Sequence, residues 1–292
     1  MDRFVFLFSA GLARGAVLAL FALSLVIVWR AARVVNFAQA ALAVAAVYAA
    51  FAVTAATGSY SAGLAAGLAS GALLGALAER GLMRRLGANA PLPGIIVAIG
   101  LVMVVQAGLA IGFGPEHRPM HPPFSQRPFV IGGVPVLSPY DLFTLIAAGV
   151  VMGGLALLFN RSSLGLQMRA AAFAPETARL LGVRVSRMVT LGWTLAVAAA
   201  SLAALLLVPN ELGLNPHAAD LLFVNAFAVA VIGGLDSPAG ALIAGIGVGL
   251  LGSLVTGYVS ASASPLAVLA LLTLVLLVRP GGLFAAKEAR TA

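Results

Sequence analysis

The chain has 292 residues, of which 62% are hydrophobic and only 9% charged, with a mean hydropathy of +1.09. A domain folded in water carries about 25% charged residues, so this chain cannot cover its own surface with polar groups and its solvent is a lipid bilayer. Soluble enzymes, coiled coils, disulfide scaffolds and disordered chains are excluded. The net charge of +8 would point to nucleic acid in a soluble protein, but here it must first be placed relative to the membrane.

A membrane-crossing helix needs about 20 mostly apolar residues. That criterion predicts nine segments, at about 4–28, 36–57, 61–79, 92–113, 140–159, 188–208, 219–235, 239–257 and 263–278. The expected fold is all-α, a polytopic membrane protein of eight or nine transmembrane helices forming one transmembrane domain over 1–292. The first segment is too long for the apolar part of a signal peptide, and its basic residues follow it, so it reads as a retained helix. The seventh is short and ends in Gly233-Gly234, the mark of a broken or re-entrant helix.

The basic residues fall in alternate connections. Arg30 and Arg33 follow the first segment, and Arg80, Arg84 and Arg85 the third. Arg161, Arg169, Arg179, Arg184 and Arg187 follow the fifth, and Arg279, Lys287 and Arg290 the ninth. Thirteen of the seventeen basic residues thus lie on one side, which the positive-inside rule makes cytoplasmic, with the N-terminus outside and the C-terminus inside. Topology accounts for the basic charge, and no nucleic acid is expected.

Two aqueous segments are long. The outer loop, about 114–139, is rich in proline and carries the turn-forming pair Gly132-Gly133, so it is expected to be ordered without a helix. His117 and His121 have helical metal-ligand spacing but sit among those prolines, and no metal site is expected. In the cytoplasmic segment, about 160–187, Leu164–Ala170 is expected to extend the fifth span. Pro175 at a first helical position and Gly182 just past a helix end then bracket a helix of about two turns. Its expected faces are Ala174, Ala178 and Leu181 on one side, with Glu176 and Arg179 paired on another.

Small residues recur at four-residue intervals in the third segment (Gly63, Gly67, Gly71, Gly75) and the eighth (Gly245, Gly249, Ser253, Gly257). Such stripes let helices approach closely where lipid supplies no hydrophobic drive. Aligning segments 1–4 with 6–9 matches these stripes and also pairs Asn36-Phe37-Ala38 with Asn225-Ala226-Phe227. An inverted repeat is therefore expected, with a substrate path between its halves.

The acidic residues all fall near span ends, whereas an ion-driven carrier places a carboxylate at depth. The only lysine, Lys287, follows no glycine-rich phosphate loop. The chain is thus expected to be no enzyme, to need no cofactor, and, if its transport is active, to draw on ATP hydrolysed by another chain. The alternative is a self-sufficient channel or secondary carrier for small solutes. Arg14 lies within the first span; it either attracts a substrate carboxylate or snorkels to water or bonds a neighbouring helix.

Several strings occur in a fixed order. They are Gly15–Ala22 leading to Val35-Asn36-Phe37-Ala38; Leu164-Gly165-Leu166-Gln167-Met168-Arg169-Ala170; and Ala178-Arg179-Leu180-Leu181-Gly182-Val183. Ala230-Val231-Ile232-Gly233-Gly234-Leu235 follows with Ser237 and Gly240, and last comes Arg279-Pro280-Gly281-Gly282-Leu283-Phe284. Through them nearly the whole chain resembles the LivH-type permease of ATP-binding-cassette (ABC) importers for branched-chain amino acids and related small organic solutes. The resemblance implies a multi-pass subunit of the bacterial inner membrane. Its implied partners are a related second permease, two cytoplasmic ABC ATPases, an extracytoplasmic solute-binding protein, the solute and membrane lipid. It also implies a translocation path at Asn36, Phe37, Gln39, Gly233, Gly234 and Ser237. ATPase coupling is implied at Arg169, Glu176, Ala178, Arg179, Leu181 and Gly182. Two motifs depart from the family pattern: Asn-Phe-Ala-His-Gly reads Asn36-Phe37-Ala38-Gln39-Ala40, and Gly-Gly-Leu-Gly-Ser reads Gly233-Gly234-Leu235-Asp236-Ser237.

Overall fold

A computed structural model describes residues 2–86, 91–210 and 213–284; Glu211, Lys287, Glu288 and Arg290 lie outside the described residues. Among the described residues the predicted apolar segments form α1 (Asp2–Ala32), α2 (Gln39–Thr57), α3 (Tyr60–Gly81), α4 (Pro91–Phe113) and α5 (Pro139–Arg161). Two short helices follow, α6 (Ser163–Phe173) and α7 (Pro175–Leu180). The remaining helices are α8 (Val185–Leu207), α9 (Asp220–Gly233), α10 (Pro238–Tyr258) and α11 (Ala263–Val278). Seven are long and apolar enough to cross a membrane. At 14 and 16 residues, α9 and α11 fall short of the span length.

Local chemistry sets the boundaries. Gly58, at φ 68°, ends α2 in the left-handed region, and the next residue, Ser59, caps α3 by accepting from the Ala62 N–H. Ser138 and Asp141 form a reciprocal capping box at α5. The proline-rich loop is ordered as expected. It carries a two-stranded hairpin, β1 (Val130–Ile131) and β2 (Val134–Pro135), turned through Gly132 and Gly133 at positive φ. Its Arg118 donates a side-chain hydrogen bond to the Phe113 carbonyl, placing a cation at the C-terminal end of α4.

The small-residue stripes are packing surfaces. Gly11, Gly15 and Ala19 of α1 meet Gly245, Gly249 and Ser253 of α10; a Cβ added at Gly15 would lie 2.9 Å from the Ile246 Cα. Gly71 and Gly75 of α3 press on Ser201, Val197 and the Trp193 backbone of α8, while Gly63 and Gly67 face Thr54 and Ala50 of α2. These pairings respect the expected repeat. With α1, α2, α3 and α4 matched to α8, α9, α10 and α11, the contact of α1 with α10 corresponds to that of α8 with α3. Likewise α1–α9 corresponds to α8–α2, and α2–α4 to α9–α11. The most buried helices are α1 and α8, whereas α4 and α5 turn Ile96, Met103, Val104 and Val150 outward, toward lipid.

The expected extension of the fifth span through Leu164–Ala170 does not occur. Ser162 ends α5, accepts from the Gly165 N–H and starts α6 in a new direction. Gly165 makes the corner possible, since a Cβ there would lie 2.5 Å from the Leu158 carbonyl oxygen. Met168 and Ala171 of α6 then bury against Met188 of α8.

On the arginine-rich side, Glu79 is 3% exposed. Its carboxylate accepts from Arg84 at 3.0 and 2.7 Å and from the Thr190 hydroxyl at 2.7 Å, tying α3 to α8. Glu79→Leu removes the buried acceptor, leaving Arg84 and Thr190 only each other and the Ser186 carbonyl, and should lower stability by about 2 kcal/mol. Thermal unfolding in detergent reads this as a depressed midpoint; an unchanged midpoint would show that the clamp contributes nothing.

Candidate functional site

The segment between α1 and α2 begins with Arg33 at φ 55°, in the left-handed region, and brings Asn36 and Gln39 into the apolar centre. Both are at most 1% exposed, as is Ser24 of α1. Amides cannot be buried there without partners. The Asn36 Oδ1 accepts from the Ala38 N–H at 3.0 Å, and its Nδ2 donates to the Gln39 Oε1 at 2.7 Å. The Gln39 Nε2 donates in turn to the Ser24 Oγ at 3.1 Å, which donates to the Phe21 carbonyl at 2.6 Å. Gln39 is thus the middle link of a satisfied polar chain.

Phe37 points from this chain toward α9. Its ring lies 6.1 Å from Phe223 and 6.4 Å from Phe227, and Phe21 meets Phe223 edge-on at 6.4 Å. The four rings close the space between α1, α9 and the start of α2. The expected match of Asn36-Phe37 with Asn225-Phe227 is here a physical meeting of the two segments.

At the end of α9, the chain's distant glycine motifs converge. Gly234 takes φ 94°, and Gly233 lies against Gly240, where a Cβ would come 2.5 Å from the Gly240 oxygen. Leu283 N–H donates to the Ile232 carbonyl at 2.8 Å and Phe284 N–H to that of Gly233 at 3.3 Å, so the C-terminal motif satisfies carbonyls that the short helix leaves open. Ser237 caps α10 through the Gly240 N–H. Gly233, Gly234 and Ser237 therefore build the knot that ends α9, apart from the polar chain at Asn36 and Gln39. Asp236 pairs with Arg33 at 2.6 Å, linking this knot to the segment before Asn36. Both side chains are about half exposed, so the pair adds at most about 1 kcal/mol, and its effect is chiefly to hold register between the two segments.

On the side of the proline-rich loop, Arg14 and Asn225 line a cleft with His117 and His217. His217 also meets Asp220 at 2.8 Å. Among the described residues no group of three His, Asp or Glu is placed to hold a metal ion.

On the opposite side, α7 starts at Pro175 as expected and ends in a Schellman motif. Gly182, at φ 83°, donates to the Arg179 carbonyl, and Val183 N–H to that of Ala178. Glu176 and Arg179 form the expected pair at 2.7 Å, and Arg169 is exposed on α6. The expected face of Ala174, Ala178 and Leu181 is corrected. Ala178 is 2% exposed, packed against the chain's own helices, while Leu181 is the capping residue and 79% exposed. This six-residue helix, capped by a left-handed residue, turns Leu181 away from the packed face. The apolar surface consists instead of Leu181 with Leu180 and Phe173, each of these two 89% exposed. Large apolar residues in an otherwise polar segment were the available signal for that pair.

Residues 7–278 match the family described as branched-chain amino acid transport system / permease component. The chain is 30% identical over 207 residues to the high-affinity branched-chain amino acid transport system permease protein BraD of Pseudomonas aeruginosa, covering 69% of this chain and 66% of that protein. It is 33% identical over 143 residues to LivH of Escherichia coli, a permease protein of the same description, covering 49% and 46%. With the probable branched-chain amino acid transport permease protein LivH of Methanocaldococcus jannaschii it shares 34% identity over 109 residues, covering 37% and 34%. The matches thus span less than two thirds of each of these curated relatives. No solved structure matches the chain. On the strength of the match over residues 7–278, and of a bundle whose motifs converge as described, the chain belongs to the branched-chain amino acid transport permease family.

Proposed function

We propose that this chain is the membrane-spanning permease subunit of an ATP-driven importer for branched-chain amino acids or related small organic solutes. The arrangement that carries this reading is the satisfied polar chain Ser24–Gln39–Asn36 buried behind four phenylalanine rings, below a cleft open to one side. A lipid-immersed chain gains little from burying amides for stability alone, whereas a solute path requires polar groups at depth. The family membership and the relatives' descriptions support the same reading.

In this scheme the whole chain is one permease domain with the proline-rich loop outside and α6–α7 in the cytoplasm, which the arginine distribution supports. A second permease, two ATPases and a solute-binding protein complete the machine, and the chain itself catalyses no reaction. Nucleotide closes the ATPase pair, α7 moves with it, and the α9 and Asn36 segments part around the solute.

The test is reconstitution. Proteoliposomes holding this chain, its partner permease and the ATPases, with binding protein outside, should accumulate labelled L-leucine or a related solute only with ATP. The chain alone should accumulate none. Uphill accumulation by the chain alone, or none by the complete assembly with ATP, would refute the importer reading.

A further inference from the structure

We infer that the cleft around Arg14 is a carboxylate subsite at the outer mouth of the path, which makes the solute a small aliphatic carboxylate and not a neutral amide. The inference rests on the importer reading above. Arg14 lies about 18 Å along α1 from Asp2, at a depth where a cation is costly unless water or an anion reaches it. Its side chain lines a cavity of about 180 Å³ between α1, α9 and the outer loops. Among the described residues no carboxylate lies within 4 Å of its guanidinium, and the acid at the start of α9, Asp220, is held by His217 and Gln106.

The rest of the lining complements that charge. Leu18, Leu207 and Leu221 form an aliphatic wall, and Asn215 and Asn225 offer amide groups beside it. A guanidinium fork binds a carboxylate with two parallel hydrogen bonds, an amide oxygen accepts from an ammonium, and the leucines shelter an aliphatic side chain. A neutral amide entering the same cleft would desolvate Arg14 without supplying an anion, and the cleft selects against it on that ground. Phe21 and Phe223 follow Leu18 and Leu221 within one helical turn, and their rings meet edge-on at 6.4 Å.

The experiment uses the complete reconstituted importer, with L-leucine and acetamide as probes at subsaturating concentration. Arg14→Gln should lower ATP-dependent leucine uptake by about tenfold or more, and Arg14→Lys, which keeps the charge but loses the fork, by a smaller factor. The chain has no cysteine, so Arg14→Cys creates a single target in it for membrane-impermeant thiosulfonates, with the wild-type complex treated in parallel to report any partner thiols. Attaching an ethylammonium group from outside should restore leucine uptake, and attaching an ethylsulfonate should not. Unchanged uptake in Arg14→Gln, or equal recovery with either reagent, overturns the subsite. Wild-type uptake of acetamide but not leucine overturns the carboxylate assignment and leaves the importer reading standing. No ATP-dependent uptake of either probe by the wild-type complex overturns both. If Arg14→Gln fails to assemble, as copurification of the ATPases reports, Arg14→Lys decides: uptake equal to wild type overturns the subsite.

Discussion

Gly249→Leu should leave almost no folded chain in the membrane, while Gly247→Leu on the same helix should be tolerated. A Cβ at Gly249 would sit on the Gly15 Cα and 2.8 Å from the Gly11 carbonyl oxygen, and at Gly247 it would meet nothing within 4 Å. The obstacle at Gly249 is backbone on the opposing helix, which cannot rotate away as a side chain can. Overpacking a core typically costs about 1–3 kcal/mol, and rigid obstacles lie at the upper end or beyond it. In lipid the loss is not offset by any hydrophobic drive between helices, because association there depends on close van der Waals contact. The α1–α10 crossing is also the most extensive contact between the two halves of the repeat, so its loss weakens their association more than the loss of any other. The monodisperse fraction of tagged protein in mild detergent measures the effect, and equal yields of the two variants would contradict the packing argument.

The double variant Leu180→Asp with Leu181→Asp should reduce ATP-dependent uptake by at least about tenfold without unfolding the chain. Their exposures, 89% and 79%, mean that neither side chain contributes to the chain's own core. The helix beneath them stays in place through Pro175, the buried Ala178 and the Schellman cap at Gly182. Under the proposed function these leucines, with Phe173, are the apolar anchors that enter the ATPase. Removing such anchors from an interface typically costs about 2 kcal/mol or more each, and added carboxylates raise that cost by desolvation. By contrast, Arg179→Glu breaks only an exposed ion pair and should alter stability by less than about 1 kcal/mol. Copurification of the ATPases and their stimulation by loaded binding protein are the readouts. Wild-type stimulation in the double variant would remove α7 as the lever.

Much of this architecture was legible along the chain because the bilayer imposes short-range rules. A run of about 20 apolar residues must become a helix when no water can satisfy its backbone, so hydropathy located the nine apolar helices among the described residues to within a few residues. Caps are equally local: Pro175 and Gly182 announced α7, and Gly233-Gly234 announced the early end of α9. Even the repeat was visible, through two glycine stripes at matched positions. What lay beyond reach was which faces meet. Nothing near Gln39 in the chain indicates that it bonds Ser24, and nothing near Asp236 indicates Arg33, 203 positions away. The corner at Gly165 could not be distinguished from a continuous stalk, because the clash that forbids a side chain there comes from the α5 carbonyls it folds back against. Likewise Ala178 and Leu181, three residues apart, end up buried and exposed because the short α7 is seated on α6 and α8 rather than governed by its own periodicity. Propensity and hydropathy act within a few residues. Contact and burial arise from shape complementarity between helices far apart in the chain, and those had to be read from their packing.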